Sequence, residues 1–457
     1  MCGIFGAYSP DGKKVLEEVY LGLFALQHRG QESAGVAWVN PAGLISSVKG
    51  EGLVHLALDQ EDLSAEKSSC AIGHVRYSTA GGAGLENAQP LTASTSKTSL
   101  AVVHNGNLTN AEGIKLFLEN RGAIFHSSTD TEVILHLMAH QPHKQPLDAL
   151  IDSLTRLRGA YSLAMIIGRE MVAARDPWGF RPLVIGKRDG IFYVASETCA
   201  LNLVGAEVLR EVEPGEVVIF GPGGMNSFRI PVDAKRRFLC AFEFVYFARP
   251  DSVIAGKSVY EARRELGRRL ALRSPCGSAD LVTGIPDSGT IAALGFAEKS
   301  GVPYEQTVVR NRYVGRTFIE PTSRVRELGV KIKLNPITEV LSGRNVVAVD
   351  DSIVRGTTCQ RMISLIKACG ASQVHLRISS PPVRFPCYYG IDTPSRMELA
   401  AARMNIRQLE REVGADSLEY ITEEDLVEAI GLPAMDVCTA CFSGEYMEGG
   451  EDNGPEL

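Results

Sequence analysis

The chain has 457 residues and a formal charge of −7, with 45% hydrophobic and 22% charged residues. This composition is typical of a globular protein, and the length fits two domains better than one. The acidic balance, without a basic stripe of interleaved aromatic residues, argues against a nucleic-acid partner. Because no secretory signal and no run of about eighteen apolar residues occurs, we expect a cytoplasmic protein with no membrane partner.

A thiol stands at the second position of the chain, in Met1–Gly6. Initiator methionine is usually removed before a small residue, and its removal would leave Cys2 with a sulfur and a free α-amine. The amine and the thiol titrate in neighbouring pH ranges, so the amine can accept the thiol's proton. The alternative is that Cys2 is a small buried residue at the start of a first strand.

The first half of the chain predicts short strands with helices outside them, a layered α+β fold. A helix is predicted to begin at Leu16, where apolar residues through Phe24 follow helical spacing, and to end with His28 and Arg29 before a stop at Gly30. A linker is predicted at Gly221–Asn226 and onward to Arg237. Predicted strands are Ala34–Val39, Leu44–Lys49, Cys70–Tyr77, Leu100–His104, Tyr161–Ile167, Met171–Ala174 and Ile191–Ala195.

Strands and helices alternate in the second half, which predicts an α/β domain with a mainly parallel sheet. The boundaries we predict are residues 2–230 for the first domain and 235–444 for the second. The acidic, Gly-rich tail 445–457 is predicted to be disordered. Predicted elements are strands Asp280–Gly284, Asn345–Val349 and Val374–Ser379, and helices Thr290–Lys299 and Thr357–Ala368.

One motif of the second half predicts an anion site. A hydrophobic strand ends at Asp350 and Asp351, and a turn through Gly356 leads into Thr357 and Thr358 at a helix start. Backbone N–H groups of such a turn bind phosphate, and the hydroxyls add donors. The carboxylates suit ribose hydroxyls or Mg²⁺, with strand-end caps as the alternative.

This motif resembles the signature of the phosphoribosyltransferase family, which binds phosphoribosyl pyrophosphate. The loop Gly284–Gly289 resembles the family's diphosphate loop, and Arg316 lies in a basic run, Arg310–Phe318, that resembles its lid. A solvated basic loop is the alternative for that run. The resemblance implies that Mg²⁺ is held by Ser288, Asp350 and Asp351. It also implies that the substrate is bound by Arg316, Asp350, Asp351, Ser352, Arg355, Gly356, Thr357 and Thr358.

Polar residues of the first half predict a site for an amino acid. Arg76 ends a strand and could bind a carboxylate, while Asp130 could accept an ammonium group. Asn105 and Gly106 stand at a predicted strand-to-turn junction, which offers donors for an oxyanion. Asp130 by itself also fits an ordinary helix cap.

These residues together resemble the class II glutamine amidotransferases, whose nucleophile is N-terminal. By this resemblance Cys2 attacks the carboxamide of glutamine, and Asn105 with Gly106 stabilises the oxyanion. A helix-terminal cation facing the dipole is the alternative for Arg29. The resemblance implies that glutamine is bound by Arg29, Arg76, Tyr77 and Asp130.

A glutaminase half followed by a phosphoribosyltransferase half resembles the amidophosphoribosyltransferase family. That implies synthesis of 5-phosphoribosylamine in purine biosynthesis, with ammonia passed internally between the two sites. It also implies a homotetramer that purine nucleotides inhibit. In the branch with an iron–sulfur centre, a [4Fe–4S] cluster is held at positions matching Cys240, Cys387, Cys438 and Cys441. Zn²⁺ is the alternative, since it also accepts four cysteines.

Two other functions remain open from the sequence. A nucleotide-sensing regulator with a phosphoribosyltransferase fold would keep Asp350–Thr358 but would not need Cys2 or Arg76. Another class II glutamine amidotransferase, such as an aminosugar or asparagine synthase, would not need the phosphoribosyl signature.

Overall fold

Two antiparallel sheets form the first half of the chain. The computed structural model describes residues 1–78, 82, 84–232, 237–311 and 334–447. In chain order, strands β1 to β13 are Gly3–Tyr8, Ser33–Val39, Ile45–Glu51, Cys70–Arg76, Leu91–Ser94, Ser99–Leu108, Gly159–Ile167, Glu170–Arg175, Val184–Arg188, Ile191–Ala195, Glu207–Glu211, Glu216–Gly221 and Gly224–Arg229. The first sheet has the order β11-β9-β10-β1-β4-β2-β3, and the second has the order β13-β12-β8-β7-β6-β5.

The two sheets pack face to face and helices cover both outer faces. Ile4 and Ile72 of the first sheet share one buried cluster with Val103 and Ala164 of the second. Helices α1 and α7 pack on the first sheet and α4 to α6 on the second. The predicted layered α+β fold is therefore confirmed, and its layers follow the order αββα. Helices α1 to α7 are Leu16–Ala25, Val54–Ala57, Gln60–Ala65, Ala111–Glu119, Glu132–Ala139, Pro146–Arg156 and Thr198–Leu203, with a 3-10 turn at Leu85–Asn87.

The linker predicted at Gly221–Asn226 is wrong. These residues form the turn and first paired positions of the β12–β13 hairpin, in which Gly221 lies opposite Gly224. Gly224 has a φ of +94°, so the turn needs the conformational freedom of glycine. A Gly-rich turn has the same local signature in a hairpin as in a linker. Residues 233–236, beside the predicted domain boundary, lie outside the described residues.

A four-stranded parallel sheet organises the second half, as predicted. Its order is β17-β20-β21-β22, and every pair in it is parallel. Strands β14 to β23 are Leu239–Cys240, Val253–Ile254, Lys257–Ser258, Leu281–Gly284, Val308–Arg310, Leu334–Pro336, Asn345–Asp350, Gln373–Ile378, Ser417–Tyr420 and Val437–Cys438. Helices α8 to α15 are Val259–Arg273, Gly289–Ser300, Thr338–Leu341, Thr357–Ala368, Ala400–Arg403, Ile406–Val413, Glu423–Ile430 and Ala440–Ser443.

Helices cover both faces of this sheet, which explains why its strands are hydrophobic at successive positions. Val347 and Val349 of β20 pack with α8 and α9, whereas Val346 and Ala348 pack with α11 and α13. A short π-helix, Glu243–Phe247, follows β14, and 3-10 turns lie at Arg396–Glu398 and Ala434–Asp436. In the described part of the chain, every helix is too short or too polar to span a bilayer. The predicted tail falls mostly on residues 448–457, which are outside the described residues.

Helices α8 and α9 approach each other closely because glycines lie at their contact. A Cβ on Gly267 would lie 1.8 Å from the carbonyl oxygen of Ala292, and one on Gly295 would lie 2.0 Å from that of Arg264. Both distances are shorter than any stable contact, so the backbones could not stay where they are with larger residues.

We therefore expect Gly267→Ala to lower the free energy of unfolding by about 1–3 kcal/mol, the usual effect of overpacking. The higher helix propensity of alanine, worth about 1 kcal/mol, works against this loss. Urea unfolding of the purified protein measures the change. Gly277→Ala is the control, because a Cβ there meets no atom within 4 Å. Equal stability of the two variants would contradict the close approach of the helices.

Candidate active sites

Cys2 lies just before β1, in the middle of the first sheet and against the second. Its backbone N–H donates to Oδ1 of Asn105 at 3.2 Å, and its thiol donates to the carbonyl oxygen of Tyr77 at 3.4 Å. Only 6% of Cys2 is exposed. Because β1 is paired on both sides, by β4 and β10, the position of the thiol is set by the sheet rather than by a loop.

Met1 is buried at the junction between the two halves. It packs in the same cluster as Leu239 and Phe242 of the second half, and burial lowers the pKa of its amine to about 6. In a chain without Met1, the free amine would be the nitrogen of Cys2 that now bonds to Asn105. Removal of Met1 stays a prediction.

Asn105 presents a buried donor with no partner. Its Oδ1 accepts the hydrogen bond from Cys2, while its Nδ2 has no hydrogen-bond partner although the residue is completely buried. An unpaired buried amide is costly, so its presence beside a thiol indicates a place for a ligand oxygen. The predicted strand end at His104 is wrong, because β6 continues through Asn105 and Gly106 to Leu108.

Gly106 is required by the close packing of this strand. Its φ is +153°, and a Cβ would lie 2.0 Å from the carbonyl oxygen of Ala160. Polar residues inside a strand resemble the beginning of a turn in the sequence. Only the pairing of Asn105 and Gly106 with Ser162 and Tyr161 of β7 shows that the ladder continues.

The structure brings Arg76 and Asp130 to the same end of the site through a short chain of contacts. Arg76 ends β4 and donates from Nη2 to the carbonyl oxygen of Gly82 at 3.1 Å. The N–H of Gly82 donates to the hydroxyl of Ser128, two residues before Asp130. Asp130 in turn accepts from the N–H of Leu108 at 2.8 Å, on the strand that carries Asn105. The glutamine-binding roles of Arg76, Tyr77 and Asp130 stay predictions.

Asp130 is held ionised by a buried histidine. Burial opposes its ionisation, but the neighbouring His104 and several hydrogen bonds lower the pKa of Asp130 below its usual value. His104 Nδ1 lies 3.6 Å from Asp130 Oδ1, and the carboxylate raises the pKa of His104 against the effect of burial. A buried carboxylate kept negative in this way suits an ammonium ligand.

Arg29 lies after the end of α1 at Ala25, and its side chain is buried. Its Nε donates to the carbonyl oxygen of Cys2 at 2.9 Å, and its two terminal nitrogens donate to Glu197 and Glu243. Arg29 is therefore not facing the dipole of α1 as the alternative proposed. Its contact with glutamine stays a prediction. Glu197 and Glu243 were not identified from the sequence, where nothing local distinguishes them from surface carboxylates.

The paired aspartates stand at the carboxyl end of β20, in the middle of the parallel sheet. Asp351 accepts hydrogen bonds from the hydroxyls of Ser288 and Ser352, each at 2.5 Å. Asp350 accepts from the N–H of Asp351 and from the thiol of Cys359 at 3.7 Å. Burial, followed by the charge of Asp351, raises the pKa of Asp350 well above its usual value. A buried pair of adjacent carboxylates such as this suits a cation.

The loop carrying Ser288 is pressed against the aspartates. A Cβ on Gly289 would lie 2.3 Å from the carbonyl oxygen of Val349, so the glycine lets the loop approach β20. This contact brings together two motifs that are more than sixty residues apart in the chain. It places Ser288 beside Asp351, as a shared magnesium site requires.

The predicted phosphate turn opens α11. Gly356 has a φ of +87° and caps the helix, while Thr357 and Thr358 are exposed in its first turn. Arg355 extends away on the surface and pairs with Glu398 at 3.1 Å. The first N–H groups of a helix have no partner within it, so this helix start with its exposed threonine hydroxyls suits an anion. Arg316 lies outside the described residues.

Four cysteines from three distant segments line one cavity. Cys240 and Cys438 lie side by side on the paired strands β14 and β23, and Cys441 follows in α15. Cys387 lies on the loop between β21 and α12, where its sulfur accepts from the N–H of Tyr389 at 3.3 Å. All four thiols are free of disulfides, and the other residues that line the cavity are Phe180, Arg181, Tyr389, Ile391, Ala440 and Tyr446.

The donor set fits an iron–sulfur cluster. Burial raises the pKa of Cys240 to about 11 and those of Cys438 and Cys441 well above their usual value, so thiolates there need cations beside them. Across the described ranges, no group of three or more His, Cys, Asp or Glu residues converges on a point suitable for a single metal ion. The cysteines instead surround a space.

The chain is similar to known proteins over nearly its whole length. Residues 74–203 match a family model described as "Glutamine amidotransferase domain". The chain is 47% identical to an amidophosphoribosyltransferase of Bacillus subtilis over 97% of this chain and 94% of that protein. A chloroplastic amidophosphoribosyltransferase of Glycine max is also 47% identical, over 97% of this chain and 78% of that protein.

A solved structure covers both halves at once. It is the B. subtilis glutamine phosphoribosylpyrophosphate amidotransferase complexed with ADP and GMP, which superposes with a TM-score of 0.92 at 45% identity. The superposition covers 99% of this chain and 98% of that one. Identity at this level over nearly the whole length shows that the chain belongs to the amidophosphoribosyltransferase family.

Proposed function

We propose that this chain forms 5-phosphoribosylamine, glutamate and diphosphate from phosphoribosyl pyrophosphate, glutamine and water. Glutamine is hydrolysed at Cys2, and the phosphoribosyl group is aminated at Asp350–Thr358. The observation that carries the proposal is the unpaired, buried amide of Asn105 beside the thiol of Cys2. A regulator has no use for this pair, and another class II amidotransferase has no use for the second site.

In the glutaminase half, the free amine of a mature Cys2 takes the thiol's proton, and the sulfur attacks the carboxamide carbon. Nδ2 of Asn105 then donates to the developing oxyanion, with Gly106 beside it on β6. The C–N bond breaks, ammonia leaves with the proton, and water hydrolyses the thioester to glutamate. Arg76, Tyr77 and Asp130 hold the amino-acid end throughout.

In the transferase half, ammonia attacks C1 of the phosphoribosyl group and diphosphate leaves. Asp350 and Asp351 contact the ribose, and the 5′-phosphate binds the start of α11 at Gly356, Thr357 and Thr358. Ser288, Asp350 and Asp351 would hold Mg²⁺, whose chemistry is to neutralise charge on the leaving diphosphate. The short hydrogen bond between Ser288 and Asp351 supports this set.

The packing at the junction supports internal transfer of ammonia. Met1, adjacent to the nucleophile, packs among core residues of the second half. Gly390 of the second half lies against the backbone of Gly106, because a Cβ there would be 2.7–2.9 Å from its atoms. Ammonia released at Cys2 therefore starts at the junction of the halves, away from solvent that would protonate it.

We further propose that the four-cysteine cavity holds a [4Fe–4S] cluster. A tetrahedral zinc site with bonds of about 2.3 Å would bring the sulfurs to within roughly 3.8 Å of one another. A cluster binds each sulfur to a different iron, so its ligands stand farther apart around a cavity. The lining of one cavity by all four cysteines supports the cluster.

The remaining partners follow from the family. We propose inhibition by purine nucleotides, because the similar B. subtilis enzyme forms a complex with ADP and GMP. We also propose a homotetramer and a cytoplasmic location. Gel filtration with light scattering measures the oligomeric state, and competition of nucleotides with phosphoribosyl pyrophosphate measures the inhibition.

Cys2→Ala should abolish product formation with glutamine but leave it intact with a high concentration of ammonia. The substitution removes the nucleophile and leaves the transferase site unchanged. Product analysis with each nitrogen source, on protein of the expected folded yield, provides the measurement. Cys70→Ala, a change at another buried cysteine of the first half, is the control. Loss of the ammonia-dependent reaction in Cys2→Ala would contradict the separation of the two sites.

Asp351→Asn should impair the reaction with both nitrogen sources, because the second step is common to them. Loss of a charged contact is worth about 1.5–3 kcal/mol, or roughly one to two powers of ten in rate. Steady-state rates with glutamine and with ammonia are compared. Asp416→Asn, on the same sheet but at the opposite ends of its strands, is the control. Normal ammonia-dependent turnover in Asp351→Asn would support the alternative, in which the two aspartates only cap the end of the strand.

The purified protein should be brown and contain about four irons per chain. Replacement of Cys240, Cys387, Cys438 or Cys441 by Ser should remove colour and folded yield together, since these ligands join distant segments. Cys369→Ser, at a cysteine away from the cavity, is the control. Iron analysis and visible absorption after anaerobic preparation give the result. One zinc per chain with no iron would establish the alternative metal.

A further inference from the structure

A buried cluster of charges lies between the nucleophile and the four-cysteine cavity. Its members are Arg29, Arg181, Glu197 and Glu243, whose side chains are all completely excluded from solvent. Two positive and two negative charges balance there, and His28 adds a hydrogen bond to Glu197 at 2.7 Å. The first three members belong to the glutaminase half, while Glu243 comes from the second half, three residues after Cys240.

Arg29 fixes the backbone of the nucleophile. Its Nε donates to the carbonyl oxygen of Cys2 at 2.9 Å, which leaves the terminal nitrogens for the two carboxylates. Glu243 accepts from both of these nitrogens, at 3.0 and 2.8 Å. Such a bidentate pair sets the plane of the guanidinium group, and with it the direction of the N–H that reaches Cys2.

Glu197 cannot replace Glu243 in this arrangement. One of its oxygens accepts from Arg29 at 2.6 Å, and the other is already bonded to the N–H of Arg249 and the hydroxyl of Ser252. Glu197 therefore holds Arg29 at a single atom, whereas Glu243 determines its orientation.

A second set of contacts joins the first half, including β6 with Asn105, to the loop of Cys387. Arg181 donates twice to the carbonyl oxygen of Tyr389, at 2.9 and 2.6 Å, and lies 3.5 Å from Glu243. Nδ2 of Asn107 donates to the carbonyl oxygen of Tyr388 at 2.9 Å. The second half thus contacts the strand of Asn105 directly and reaches the backbone of Cys2 through Arg29.

We propose that Glu243 is a positioning residue for the glutaminase reaction, which it serves by orienting Arg29 on the carbonyl group of Cys2. This rests on the function proposed above. Glu243 touches neither glutamine nor the thiol, and its effect is confined to where the sulfur stands relative to the amide of Asn105. A shift of about 1 Å in a reacting group can cost a hundredfold in rate. The glutaminase half therefore depends on the second half for the geometry of its own nucleophile.

The test compares Glu243→Gln and Glu243→Asp with the unmodified enzyme, using the full chain with its metal content measured. Glutamine should keep its KM within about twofold, whereas kcat with glutamine should fall about tenfold to a hundredfold in Glu243→Gln. Glu243→Asp keeps the charge but is too short to reach both nitrogens, so its loss should be smaller. The kcat with ammonia should stay within about twofold in both variants, because the transferase site is not involved.

Glu216→Gln is the matched control, since Glu216 is also buried in a bidentate pair, with Arg210, but does not reach Cys2. It should leave both rates unchanged. Equal losses with glutamine and ammonia, or a normal kcat with glutamine in Glu243→Gln, would overturn the proposal. If Glu243→Gln fails to fold, Glu243→Asp decides by the same two rates. Failure of the proposed function is distinct, because the unmodified enzyme would then form no phosphoribosylamine from either nitrogen source.

Discussion

The buried ion pair between Arg29 and Glu243 joins the two halves of the molecule beside Cys2, the proposed nucleophile. Both charges are excluded from water, and each has a second partner, Glu197 for Arg29 and Arg181 for Glu243. Removing Arg29 or Glu243 would unbalance this buried cluster, and breaking a buried ion pair typically costs about 3–5 kcal/mol. The two halves are therefore held in one relative position by an interaction that also reaches the carbonyl group of Cys2. Domain docking and nucleophile geometry have a common cause in this molecule.

The two active sites use opposite ways of preparing for their substrates. In the glutaminase half, two packed sheets hold Cys2 and Asn105, and the side-chain N–H donor of Asn105 has no hydrogen-bond partner. In the transferase half, Asp350 and Asp351 repel each other in a buried position, and the start of α11 offers N–H groups without partners. The first site has an unpaired hydrogen-bond donor, and the second has buried carboxylates beside the N–H groups of a helix start. Buried groups of both kinds are costly without a partner, so a ligand of the proposed kind would stabilise each of them.

Buried charge and close backbone approach accompany apolar packing where the halves meet. Gly390 lies against Gly106, and a carbonyl of the Cys387 loop accepts from Asn107. Polar backbone contacts of this kind require accurate placement, because a buried donor or acceptor without its partner is expensive. The four cysteines lie behind this interface and bring three separate segments to one cavity. A centre bound there would hold the interface loops in register with the glutaminase strands.

Much of the fold could be predicted from the sequence because its signals are local. The strand Asn345–Asp350, the helix Thr357–Ala368 and the Asp-Asp-to-Thr turn follow from hydrophobic runs and from glycine at a capping position. The alternation of strands and helices was enough for the parallel sheet. The sequence predicts that β6 ends at His104 and that a linker lies at the β12–β13 hairpin, and both predictions are wrong. Polar and glycine residues give the same local pattern in a turn, a hairpin and a continuing strand.

The identities of Cys2, Asn105, Asp351 and the four cavity cysteines as candidate site residues were determined by the sequence itself, through motifs and their resemblance to known families. The contacts of Arg29 with Cys2, Glu197 and Glu243 are visible only in the tertiary structure. A carboxylate in a sequence carries no sign of whether it will be buried, and Glu243 meets Arg29 across more than two hundred residues. Long-range pairing of charges depends on how the two halves dock, and no local pattern records that geometry.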